Sequence, residues 1–66
     1  MKAKYFKDTD TLLITFSDHE IAETYDLNED VLVETDKDGR VVSMTVEHAT
    51  KQTNVNEFSY QLAAIA

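Results

Sequence analysis

The only glycine of the chain, Gly39, lies between two stretches with the two-residue period of β-strands, "VLVET" before it and "RVVSMTV" after it. A strand that is half buried in a sheet places alternate residues on its two faces. The pair Asp38-Gly39 favours a tight two-residue turn in which both central residues have positive φ. This stretch therefore predicts an antiparallel hairpin, and it makes a β-sheet the centre of the fold.

The turn also predicts which residues face each other across the hairpin. A two-residue turn at Asp38-Gly39 places apolar partners on one face and mostly polar partners on the other. The predicted pairs are Val33 with Met44, Val31 with Val46, Thr35 with Val42, Leu32 with Thr45, and Glu34 with Ser43. A three-residue loop with Gly39 as a bulge is the alternative. It pairs Val33 with Ser43 and Leu32 with Met44, which mixes the faces, so it ranks second.

Three earlier stretches are typical of strands as well: "KAKYF", "TLLITF" and "IAETYDL". The clusters "KDTD", "SDHE" and "NED" separate them, and Asp, Thr, Asn and Ser favour turns because their side chains bond to nearby backbone. We therefore expect an antiparallel β-meander of four or five strands over residues 2–48.

The last stretch changes period. Val55, Phe58, Leu62 and Ile65 recur at the spacing of one face of an amphipathic helix, and Asn54 with Glu57 resembles a capping box. This pattern predicts a helix over residues 54–65. We expect it to pack on one face of the sheet, which carries Leu12, Ile14, Phe16, Val42, Met44 and Val46. The predicted fold class is α+β, in a single domain over residues 1–66.

A chain of 66 residues buries little surface and is usually marginal alone. It has no Cys, so a disulfide cannot stabilise it. Self-association is the remaining common solution, and we expect a homo-oligomer, with a dimer favoured. Three apolar residues point away from the predicted helix and could form the seam of the dimer: Leu13, Val41 and Leu32.

The formal charge of −7 has the wrong sign for binding phosphates, so we expect neither nucleic acid nor membrane as a partner. The same charge favours a basic protein partner through its association rate. The start "MKAKYFKDTD" contains no apolar stretch, and the runs "LLI" and "LAAIA" are too short to span a bilayer. A cytoplasmic location is therefore expected.

The stretch "DKDG" (residues 36–39) begins like a calcium loop, but such a loop needs another side-chain ligand before its glycine and a Glu six residues after it, where Thr45 stands. A hairpin corner explains it better. His19 and His48 have no nucleophile or second ligand at a recognisable spacing. Seven further carboxylates are predicted to be solvated turn residues: Asp8, Asp10, Asp18, Glu20, Asp26, Glu29 and Asp30. We expect no catalytic, cofactor-binding or metal-binding residue, no cofactor, and no enzyme activity.

The chain resembles the family called domain of unknown function 2283, which comprises small bacterial and archaeal proteins. The resemblance covers about three quarters of the chain and ends near Ala49-Thr50. It differs at Phe6, Ser43 and Thr45, where the family usually has Asp, Gly and Glu. It implies a compact sheet with a helix and no established activity. The matching positions are Tyr5, Asp10, Leu12, Ile14, Glu23, Thr24, Asp36, Asp38, Gly39, Val41 and Val42.

Two functional hypotheses follow from the sequence. The first is a small non-enzymatic protein-interaction module that neutralises a basic partner, as an antitoxin does. The alternative is a protein that binds a ligand or a divalent cation with its acidic turns.

Overall fold

The structure, a computed structural model, describes residues 1–63, and it contains one five-stranded antiparallel sheet. The strand order is β1-β2-β5-β4-β3, and a short 3₁₀ turn, Ala49–Lys51, follows the last strand. The strands are β1 (Lys2–Phe6), β2 (Thr11–Thr15), β3 (Glu23–Asp26), β4 (Val31–Thr35) and β5 (Val41–Glu47).

Strands β3, β4 and β5 form a meander, but β2 pairs with the free side of β5 and not with β3, so the predicted meander does not run through all the strands. The connection over residues 16–22 crosses the ends of β5 and β4 to reach the far edge. The backbone N–H groups of Phe16 and Ser17 donate to the Val42 carbonyl at 2.8 and 3.3 Å, and Ala22 N–H donates to the Thr35 carbonyl at 2.8 Å. These bonds hold the connection against β5 and β4.

The β4–β5 hairpin combines the two predicted arrangements. Four pairs are as predicted: Val31 with Val46, Leu32 with Thr45, Val33 with Met44, and Glu34 with Ser43. The fifth differs, because Thr35 pairs with Val41 instead of Val42. In the loop only Gly39 has positive φ (83°), and its N–H donates to the Asp36 carbonyl at 3.1 Å. The predicted two-residue turn is therefore wrong. The loop has three residues, and a bulge at Val42 restores the predicted register beyond it.

The predicted helix over 54–65 does not form, so the α+β class is wrong and the fold is essentially all β. Residues 54–63 contain no helix, and Ile65 lies outside the described residues. The Asn54 side chain accepts the Asn56 N–H at 3.0 Å, and the Asn54 carbonyl accepts the Glu57 N–H at 3.3 Å. The backbone therefore forms a single turn over residues 54–57 and does not continue into a helix. A helix this short is marginal in water unless its apolar stripe is buried, and Leu62 is 84% exposed.

The register divides the sheet into two faces. What we call the apolar face carries Leu12, Ile14, Val31, Val33, Met44 and Val46, with Ala3, Tyr5 and Tyr25 on its outer strands. What we call the polar face carries Lys2, Lys4, Phe6, Thr11, Leu13, Thr15, Thr24, Asp26, Leu32, Glu34, Ser43, Thr45 and Glu47. Within residues 1–63, only three apolar residues are buried: Val33, Val42 and Ala49.

Candidate binding surface

A groove of about 420 Å³ lies on the apolar face. One wall is the sheet, with Ala3, Tyr5, Leu12, Ile14, Val31 and Val46, and the other is formed by residues between 52 and 58. Residues 52–58 therefore lie beside this face, but the helix over residues 54–65 that was predicted to pack on it does not form. The sheet residues stay half buried, with Ala3 exposed, because the second wall covers them only in part.

The second wall belongs to what we call the C-terminal segment, residues 52–63. It starts from two hydrogen bonds: Thr53 N–H donates to the Ala49 carbonyl at 2.9 Å, and Gln52 Nε2 donates to the Glu47 carbonyl at 2.9 Å. Beyond Val55, which is half buried, its large side chains face solvent: Phe58 is 58%, Tyr60 71% and Leu62 84% exposed. Exposed aromatic and aliphatic side chains beside an open groove are typical of a surface that binds another molecule.

Asp10 holds the start of this segment to the sheet. Its carboxylate accepts the Tyr5 hydroxyl at 2.7 Å, the Thr50 hydroxyl at 2.7 Å and the Thr50 N–H at 3.2 Å. The Asp10 carbonyl accepts the Ala49 N–H at 3.0 Å. The turn before β2 is thereby tied to the residues that follow β5, and this tie sets where the C-terminal segment begins.

The same hydrogen bonds change the pKa of both titratable groups. The Tyr5 hydroxyl, and then the Thr50 hydroxyl, stabilise the charged carboxylate and lower the pKa of Asp10 below its ordinary value. The carboxylate in turn raises the pKa of Tyr5, because it accepts the proton that ionisation would remove. We conclude that Asp10 is ionised and Tyr5 neutral at neutral pH.

Asp36 performs a similar role at the hairpin corner. Its Oδ1 accepts the N–H groups of Asp38 and Arg40 at 2.9 and 3.0 Å, and His19 Nδ1 lies 3.1 Å from its Oδ2. The Arg40 N–H and then His19 lower the pKa of Asp36. The carboxylate is 7% exposed and stabilises its own loop. This geometry supports the hairpin corner that the sequence suggested.

The two histidines, which have no partner at a recognisable sequence spacing, each lie beside a carboxylate. By its contact with Asp36, His19 links the connection over residues 16–22 to the hairpin corner. His48, which has the left-handed φ of 53°, places its Nδ1 2.9 Å from Asp30 Oδ1. Both imidazoles are more than half exposed. These pairs join residues 17 and 18 positions apart, a distance at which sequence spacing gives no signal.

Three of the turn carboxylates, Asp26, Glu29 and Asp30, line one small pocket. Within residues 1–63, however, no group of three His, Asp or Glu side chains could hold a metal ion. Leu13 and Leu32 share the polar face, on the two strands that flank β5. The dimer seam that they were predicted to form stays a prediction. Val41 does not join them, because it pairs with Thr35 on the side of the apolar face.

Sequence spacing also missed the bonds from Asp10 to Thr50, which is 40 positions away. The one available signal was that Tyr5 and Asp10 both belong to the family resemblance. Among residues 1–63 there is no helix with the length and apolar character that crossing a lipid bilayer requires.

Comparison with known proteins gives one match. The family model described as "Protein of unknown function (DUF2283)" matches residues 2–49, which confirms the resemblance. The matched part contains all five strands and ends just before the C-terminal segment. No curated protein and no solved structure matches the chain.

Proposed function

The chain belongs to the DUF2283 family, and from this premise we propose that it is a small non-enzymatic protein-interaction module that binds a basic partner. The partner would seat on the apolar face and the C-terminal segment. In the form that the sequence suggests, the module neutralises its partner, as an antitoxin neutralises a toxin. The proposal includes a cytoplasmic location, because a chain without Cys suits a reducing compartment.

The proposal depends on the exposure of Phe58, which lines the groove, and of Tyr60 and Leu62, which follow it in the C-terminal segment. Aromatic side chains are enriched at the centres of protein interfaces because they bury much area with few rotatable bonds. A segment without regular structure can also order itself on a partner and wrap it. Both properties suit a binding arm next to an apolar platform.

Charge supports the choice of partner. The chain has 13 acidic and 6 basic residues, and many of the carboxylates stand in turns around the sheet. Such a field raises the rate at which a basic protein associates, and the rate falls as salt is added. The apolar groove contributes affinity, whereas the acidic surroundings select the sign of the partner's charge.

The test starts from the protein encoded beside this one, co-expressed and purified with it. We expect a stoichiometric complex with a basic protein, with an association rate that falls at high salt. Recovery of the homo-oligomer alone, in repeated preparations from the native host, would count against the proposal.

Matched variants then locate the surface. Leu62→Ser and the triple variant Phe58→Ser/Tyr60→Ser/Leu62→Ser are expected to weaken binding, the triple variant by at least about tenfold in Kd. Leu27→Ser is the control, because Leu27 is also largely exposed (66%) but follows β3, away from the groove. Equal binding by the triple variant and the wild type would show that the partner binds elsewhere.

A further inference from the structure

A row of five side chains crosses the whole polar face. The register pairs Lys4 with Leu13, Leu13 with Thr45, Thr45 with Leu32, and Leu32 with Asp26. From one edge of the sheet to the other, the row is therefore Lys4, Leu13, Thr45, Leu32 and Asp26. On each side of Thr45 the row has a leucine and then a charged residue, which is Lys4 at one end and Asp26 at the other.

This symmetry matters when two copies of the sheet stack face to face. A two-fold axis between them and parallel to β5 reverses the order of the strands. It sets Thr45 opposite Thr45 of the second copy, Leu13 opposite Leu32, and Lys4 opposite Asp26. An axis across the strands would keep the order and set Lys4 against Lys4. The charges therefore select the first axis.

We infer that the polar face is the surface of a symmetric homodimer in which the two β5 strands stack side by side in the same direction. Sheets that stack this way lie about 10 Å apart with their strands within about 30° of each other. In the neighbouring row Thr15 lies opposite Glu34 of the second copy, so a hydroxyl meets a carboxylate. Lys4 is held in place by the Phe6 ring, whose centroid is 5.2 Å from its Nζ.

The chain as a whole exposes more area than its mass predicts. A folded monomer of 7.5 kDa is expected to expose about 4,200 Å², whereas this chain exposes 5485 Å². A stable interface of standard size buries about 800 Å² of each partner. The dimer uses the polar face only, so the apolar face and the C-terminal segment remain free, and the inference does not rest on the proposed function.

Glu47 gives the arrangement a distinctive weakness. It lies at the end of β5, two residues from Thr45, so the same axis brings the two copies of Glu47 near each other. Like charges across an interface weaken it. Glu47→Gln is therefore expected to tighten the dimer more than Glu57→Gln, which removes the same charge beside the groove on the other face. An interface on the apolar face predicts the reverse order.

The first test is a charge exchange followed by light scattering over a range of concentrations. The wild type is expected at twice the chain mass of 7.5 kDa. Lys4→Glu and Asp26→Lys should each raise the dimer Kd about tenfold or more, and the double variant should restore it, because the exchanged charges meet across the axis. Lys51→Glu is the control, since it makes the same charge change outside the sheet. Circular dichroism verifies that each variant is folded.

The second test uses the absence of Cys from the chain. Thr45→Cys places one thiol beside the axis, where a short bis-maleimide should link two copies. Met44→Cys, on the apolar face, should not be linked. A monomer at every concentration, a double charge variant no better than the single ones, or linkage of Met44→Cys alone would each overturn the inference, and the last would assign the interface to the apolar face.

Discussion

Asp10 joins two parts of the chain that are distant in sequence. It has positive φ (54°), a conformation that Asp and Asn tolerate better than other residues with a side chain. Its carboxylate then faces both Tyr5 and Thr50. Asp therefore suits this position for two reasons: it tolerates the positive φ of the turn, and its carboxylate accepts hydrogen bonds from two hydroxyls.

The lowered pKa of Asp10 predicts how stability depends on pH. Its ordinary value is 3.8, and the folded value is lower, so the unfolded chain binds more protons in this range. The contribution is fully present above about pH 4 and is lost as the pH falls through the folded pKa. Asp10→Asn keeps the backbone preference and removes the charge, and we expect a lower thermal midpoint at neutral pH.

Asp8→Asn is the matched control, since Asp8 lies exposed in the same turn and accepts no side-chain hydrogen bond among those described. Thermal midpoints between about pH 5 and pH 2 should fall less for Asp10→Asn than for Asp8→Asn or the wild type. Parallel curves for all three proteins would show that Asp10 contributes nothing specific.

At the scale of elements, alternation predicted the strands well, because each half-buried strand shows its two faces in its own sequence. The hairpin register beyond the bulge was also predictable, since any one-residue slip would mix the faces. The bulge at Val42 was not, because it depends on Phe16 and Ser17, whose N–H groups both donate to the Val42 carbonyl. Those donors come from a connection that local patterns do not describe.

The helix prediction failed for a related reason. Spacing of Val55, Phe58 and Leu62 indicates which side chains would share a face, but it does not supply a surface that buries them. The apolar face meets the segment only as far as Phe58. The groove itself, which needs both the sheet and the segment, could not be predicted from either one.

The positive φ of Gly39 makes the hairpin loop sensitive to substitution at this position. Its φ of 83° is unfavourable for residues with a Cβ, although no heavy atom lies within 4 Å of the position that a Cβ would take. The cost of Gly39→Ala is therefore one of backbone conformation, about 1 kcal/mol. Gly39→Asn should cost less, because Asn adopts this conformation more readily. Urea unfolding measures both, and equal stability of Gly39→Ala and the wild type would contradict the positive φ at Gly39.

The whole molecule is a single open sheet with two different faces. We have proposed a protein partner for the apolar face and the C-terminal segment, and a second copy of the chain for the polar face. Burial of either surface on binding stabilises a chain that is too small to bury a large core. Its charge of −7 keeps copies apart unless their opposite charges are aligned, which is the role inferred for Lys4 and Asp26.

The same charge bears on the alternative function, the binding of a ligand or divalent cation by the acidic turns. The carboxylates of Asp10 and Asp36 already accept hydroxyl or N–H groups, and a cation would have to displace these donors. We therefore expect millimolar calcium or magnesium to leave the thermal midpoint at the value found in sodium chloride of equal ionic strength. The sodium control is needed because any salt screens the repulsion among 13 carboxylates. A saturable rise above that control would establish a cation site, because a ligand that binds only the folded state raises the midpoint with its concentration.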